Sequence, residues 1–134
     1  MFVNGHLVDF ASRKQKVVAL STMEAEYIAA CEAAKMEKPI RTLCGELGFA
    51  TTAASKLMVD NNAAIALANN PSSGSSRTRH IDVRYHYIQQ RIREGEIEVA
   101  YIPSDDNAAD GFTKALAVTK HRKFVELLKS ARSA

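Results

Sequence analysis

Glu26, Asp60 and Asp110 are acids placed where elements of the chain begin or end: Glu26 inside STMEAEYIAA, Asp60 closing the apolar run KLMVD, and Asp110 inside DDNAADGFTKAL. Carboxylates that hold two divalent cations about 4 Å apart can hydrolyse a phosphodiester with little other protein chemistry. Taken singly, an aspartate in a helix first turn caps the helix or complements its dipole, and one that ends a strand forms a turn. It is the three together that point to a metal-binding cluster. A second group, Arg77, Arg79, Arg84, Arg91 and Arg93 with His80, is crowded into one stretch. Such clustering forms either a surface for a polyanion or an ordinary solvated loop and helix face, and charge alone does not separate the two. His80, Asp82 and His86 bring zinc to mind, but only Asp82 and His86 share a helix face, which makes them a surface pair.

The elements that must position these acids come from 134 residues, the length of one domain, here taken as 1–134. With 46% hydrophobic and 25% charged residues and no low-complexity tract, the composition is that of a globular protein. The formal charge of +3 is mild. Cys31 and Cys44 fall in helical apolar patterns and read as reduced core thiols, which points to an intracellular protein. No apolar stretch approaches the roughly 20 residues of a membrane span, so no membrane partner is expected. MFVNGHLVDF lacks the basic and apolar regions of a secretory signal.

Residues 1–20 read as strands: MFV, a turn at Asn4-Gly5, LVDFA, and, after a polar connector, VVAL. Ser21 and Glu24 form an S-x-x-E capping box, so a helix begins there with Tyr27, Ala30, Cys31 and Ala34 as its buried stripe. Glu24 thereby has a capping task. Glu26 shares a face with Ala29, Ala30 and Ala33, whose small side chains let another layer approach, and it ranks above Glu24 as the functional acid. Pro39 predicts the first turn of a second helix, PIRTLCGEL, with Ile40, Leu43, Cys44 and Leu47 buried and Gly48 at its end. KLMVD reads as a buried strand delivering Asp60 to its carboxyl end, the edge at which open parallel sheets bind ligands. NAAIALANN is a short helix; another from about residue 80 to 94 buries Ile81, Tyr85, Ile88 and Ile92 and ends at Gly95. IEVAYI alternates like a strand. Residues 104–107 offer N-caps for a helix carrying Asp110 and Phe112, and an amphipathic helix over about 119–131 presents Phe124, Leu127 and Leu128. The order is that of an α/β domain.

Three segments in this order, SRKQKVVALSTMEAEYIA, VDNNAAIALANNP and RTRHIDVRYHYIQQRIREGEIEVAYIPSDDNAADGFTKAL, resemble the ribonuclease H domain of copia-type retrotransposon Pol polyproteins over nearly the whole length. The resemblance implies a ribonuclease H-like fold, a mixed sheet flanked by helices, and cleavage of the RNA strand of an RNA–DNA hybrid with Mg²⁺ or Mn²⁺. It places Glu26 as the helix glutamate, Asp60 as the aspartate ending the fourth strand, and Asp110 as the aspartate opening the late helix. Arg77, Arg79 and Lys114 are then expected to contact phosphates, with the RNA strand sensed through its 2′-hydroxyls.

Two features depart from the family pattern. The family's fourth acid lies in a first-strand segment resembling DADWAGD, and these 134 residues contain no such segment. Asp9, on the hairpin, does not match it. Three carboxylates hold a metal pair less well than four, so the expectation is a sheet lacking its usual first strand and a nuclease weakened or inactive. The gap left in the sheet makes homodimerisation or strand exchange a further expectation. In NPSSGSSRTRH, Gly and Ser stand where the family usually carries an extra histidine. The alternative reading is a non-catalytic, retrotransposon-derived module that binds nucleic acid or associates with itself.

Overall fold

In a computed structural model the described residues are 1–16, 18–49, 52–70 and 82–130, without the side chains of 82–85 and 130. The elements are β1 (Phe2–Val3), β2 (His6–Leu7), α1 (Thr22–Glu46), β3 (Ser55–Val59), α2 (Asn62–Asn69), α3 (Asp82–Arg93), β4 (Ile97–Tyr101) and α4 (Val118–Ser130). Two 3₁₀ turns, Ser104–Asp106 and Ala108–Phe112, precede α4. The content is mixed α/β, as expected. It is divided between two compact units, residues 19–101 and residues 1–18 with 102–134.

The core of the larger unit lies where α1, α2 and α3 cover one face of β3 and β4. The expected α1 stripe is buried, with Tyr27, Cys31 and Ala34 at 1% exposure or less, and it packs with Val59, Leu67, Ile88 and Ile97. Ser21 caps α1 by accepting from the Glu24 backbone N–H at 3.1 Å. The Glu24 carboxylate reaches one residue further back than a standard capping box, to the Leu20 N–H at 2.7 Å. That bond commits Leu20 to the helix start. Residues 18–20 of VVAL are accordingly not strand: Val18 and Leu20 stand exposed at 81% and 72%, with no ladder partner among the described residues.

Pro39 does not begin a second helix; α1 runs through it for 25 residues. An interior proline removes one backbone hydrogen bond and costs roughly 3 kcal/mol in isolation. Side chains on both sides of Pro39 offset that loss by tying the helix to the sheet. Arg41 donates to Ser55 Oγ at 3.1 Å and to the Ala53 carbonyl at 3.0 Å, Ser55 Oγ donates to Glu37 Oε1 at 2.6 Å, and Lys38 pairs with Glu96. The buried stripe thus continues past Ala34 as Glu37 and Arg41 rather than as leucines. Leu43 comes nine residues after Ala34, two and a half turns on, and so faces the opposite way. Leu43 and Leu47 are exposed at 52% and 64%, contrary to the buried stripe expected of them. Gly48, at φ +83°, ends α1 as expected: its N–H bonds the Gly45 carbonyl and that of Phe49 the Cys44 carbonyl.

β3 and β4 are parallel, with Ser55 opposite Ile97 and Val59 opposite Tyr101. The Ser55 N–H donates to the Glu96 carbonyl at 2.9 Å, which fixes the phase of the ladder. Ser55, Leu57 and Val59 turn their backbone groups toward β4, and Lys56 and Met58 turn theirs to the outer edge. The strands form two separate two-stranded sheets, β1–β2 and β3–β4, where one mixed sheet was expected. The outer edge of β3 therefore has no ladder partner among the described residues.

Arg91, which the sequence grouped with the arginines of a polyanion surface or a solvated face, is internal. At 3% exposure it donates to the Ala34 carbonyl at 2.6 Å, to Glu96 Oε2 at 2.7 Å and to Glu37 Oε2. Burial works to lower the guanidinium pKa, but the bonds to Glu37 and Glu96 outweigh it and raise it. Glu96 is held below its ordinary 4.5, first by Lys38 and then by Arg91. A carboxylate depressed in the folded state stabilises above its unfolded pKa, and that contribution is lost as pH falls through the folded value. Urea unfolding followed below pH 4.5 should show stability falling with acid, and the fall should be shallower in Glu96→Gln; identical slopes would contradict the pairing.

In the smaller unit, β1 and β2 are joined at Asn4-Gly5 with φ of 47° and 75°, both positive as a type I′ turn requires. Asn107, one of the expected caps, accepts from the Ala109 N–H at 3.0 Å. The element it starts is a five-residue 3₁₀ turn rather than an α-helix. Phe112 stacks on Phe10 at 5.0 Å between centroids and meets Phe124 of α4 edge-on at 5.1 Å. A Cβ at Gly111 would overlap the Phe124 ring. Gly111→Ala is expected to cost about 1–3 kcal/mol, because the ring must leave its place against Phe112. An unchanged thermal midpoint would contradict this packing.

Candidate functional site

Asp60 follows β3 directly, at the carboxyl end of a parallel strand and next to Val59, which is 2% exposed. A strand-end aspartate commonly caps the following helix, but here Asn61 does so, accepting from the N–H groups of Ala63 and Ala64 at 3.0 and 3.1 Å. Asp60 is left half-buried, with no hydrogen bond or ion pair among the described residues. A half-buried carboxylate of this kind can be met by water or by a hard cation. Glu26 lies one turn into α1, half-buried, between buried Tyr27 and the cap formed by Glu24, which is 6% exposed. The capping task and the candidate site task therefore fall on different acids.

Asp110 sits in the Ala108–Phe112 turn, its side chain 28% exposed and paired with Lys114 Nζ at 2.6 Å. Lys114, expected to meet phosphate, is at present the counter-ion of a site acid. Glu26 and Asp60 belong to the larger unit and Asp110 to the smaller. Among the described residues no three His, Cys, Asp or Glu side chains gather closely enough to hold a metal ion. The donor set fits a hard cation in kind, since all three are carboxylates of the sort Mg²⁺ and Mn²⁺ take.

Arg77, Arg79 and His80 lie outside the described residues, as do the side chains of Ile81, Asp82 and Arg84. Arg93 is exposed on α3. Sequence reading finds the helix around His121 basic but gives the cations of α4 no role. Lys120 pairs with Asp105 at 3.1 Å and Lys123 with Asp106 at 2.7 Å. The run KHRK carries that signal, yet the helix is noticeable mainly for its apolar stripe.

A two-unit α/β chain with half-buried carboxylates has its homologues among retrovirus-related Pol polyproteins of plant transposons. It is 38% identical over 125 residues, 93% of its length, to the retrovirus-related Pol polyprotein from transposon TNT 1-94 of Nicotiana tabacum. The corresponding proteins from transposons RE1 and RE2 of Arabidopsis thaliana are 32% and 31% identical over 92% of the chain. The chain spans only 8–9% of the length of these relatives. No family model matches it, and no solved structure does. No helix among the described residues is long and apolar enough to cross a membrane.

Proposed function

We propose that the chain is the ribonuclease H-type part of a copia-type Pol polyprotein, acting on the RNA strand of RNA–DNA hybrids, and that these 134 residues alone turn over slowly. The observation that carries this reading is Asp60: half-buried, at the carboxyl end of a parallel strand, and relieved of capping by Asn61. Homology to Pol polyproteins over 92–93% of the chain supports it. Glu26, Asp60 and Asp110 would hold Mg²⁺ or Mn²⁺. The bound cations would supply activation of a water and stabilisation of the leaving 3′ oxygen. Lys114 keeps a cation beside Asp110, and with a metal ion held there its ammonium would be positioned to meet phosphate.

A second reading, a non-catalytic module that binds nucleic acid, is favoured by the Lys114–Asp110 pair, which already gives that acid a cation. A labelled hybrid incubated with Mn²⁺ separates the two. Cleavage that EDTA stops supports the nuclease; binding without cleavage at saturating Mn²⁺ supports the module. The open β3 edge also supports homodimerisation, with backbone groups of a second copy pairing those of Lys56 and Met58. Light scattering on the eluted protein tests it, and a monomer at all concentrations would count against it.

A further inference from the structure

We infer that the Lys120 and Lys123 side of α4 is a docking surface for the sugar–phosphate backbone of nucleic acid, held closed in the free protein by Asp105 and Asp106 acting as phosphate stand-ins. The surface lies within the smaller unit. Four consecutive residues, Lys120 to Lys123, carry three permanent cations and a histidine, and all four are exposed. Lys120 and Lys123 are three apart and so share a helix face. Each is met by its own carboxylate from the Ser104–Asp106 turn, at 3.1 and 2.7 Å. Two adjacent carboxylates, each on a separate ammonium, present the pattern that two neighbouring phosphates would present. Arg122 beside them has no ion pair among the described residues.

Magnitudes decide whether such a latch can open. Side chains in these pairs are 49–74% exposed, and ion pairs in that setting are worth about 0–1 kcal/mol each. A polyanion that releases condensed counterions on binding readily outbids them. The same exchange is closed to Arg91, which is fully enclosed. Lys120, followed by Lys123, holds the Asp105 carboxyl below its ordinary value.

A membrane surface is the other anionic partner to weigh. Basic helices that bind bilayers bury an apolar face among the lipids. The apolar face of α4 is already engaged, with Phe124 against Phe112 and over Gly111, and Leu127 and Leu128 are half-buried. What remains outward is charge, which suits phosphates in water.

The inference rests on the nucleic-acid reading above, but its test does not need cleavage. Fluorescence anisotropy in EDTA, with Glu26→Gln as background and a labelled RNA–DNA hybrid as probe, reads binding alone. Lys120→Gln with Lys123→Gln should weaken binding about tenfold at low salt and reduce the slope of log K against log salt by about 2, for two lost phosphate contacts. Lys120→Arg with Lys123→Arg should restore both. Asp105→Asn with Asp106→Asn should tighten binding by about threefold or more, since the carboxylates no longer compete. An unchanged affinity and slope in both the glutamine and asparagine pairs overturns the inference, as does a preference for phosphatidylserine vesicles over the hybrid. Absence of Mn²⁺-dependent cleavage by the parent protein, with the binding pattern intact, would overturn the nuclease reading only.

Discussion

Replacing Arg91 with alanine is expected to destabilise the larger unit by about 3–5 kcal/mol, the range for removing one partner of a buried ion cluster. The guanidinium joins the Ala34 carbonyl of α1, Glu37 of α1 and Glu96 at the start of β4, so one truncation breaks three bonds between elements. It also leaves Glu37, whose side chain is 13% exposed, with only the Arg41 guanidinium at 3.7 Å as a cation. Lysine at this position should recover only part of the loss, because a single ammonium cannot fork toward acceptors on different sides. Thermal unfolding measures the effect; a fall of roughly 10–25 °C is expected for a domain of this size. A midpoint within a degree or two of the parent protein would show that the cluster does not hold these elements together.

Asp60→Asn is expected to reduce Mn²⁺-dependent hybrid cleavage by at least about a hundredfold, since even the outer support of a metal site is worth 10–100-fold. The amide keeps the shape of the side chain and removes the charge that a cation needs. Because Asn61 alone caps α2, the thermal midpoint should stay where it is. A loss of activity with no loss of stability separates a ligand from a structural acid. Glu26→Gln should behave in the same way, for the helix start depends on Ser21 and Glu24. Cleavage retained in Asp60→Asn would place the chemistry elsewhere.

Much of the fold was legible because local rules governed it. Asn4-Gly5, Ser21 and Gly48 each impose a backbone geometry that needs no tertiary help, and each does in the structure what its residue type predicts. Asp60 at the end of β3 was legible for the same reason, a short apolar run broken by a polar pair. Pro39 misled because its local cost is offset from afar. Glu37, Lys38 and Arg41 are tied to residues 12 to 58 positions away, and no window of sequence displays that. Reading Pro39 as a helix start then gave Leu43 and Leu47 a buried face of their own, on what is the outer side of one continuous helix. Arg91 misled in the opposite sense. A cluster of arginines looks the same in sequence whether its members face water or fill a core, and only the acids of α1 and β4 decide.

Density from Mn²⁺ tests the central claim most directly. A crystal of the 134-residue protein soaked in MnCl₂ and measured at the manganese edge should show an anomalous peak bounded by the carboxylates of Glu26, Asp60 and Asp110, with Lys114 turned away from Asp110. Three carboxylates on separate surfaces, with no anomalous peak touching any of them at saturating Mn²⁺, would contradict it.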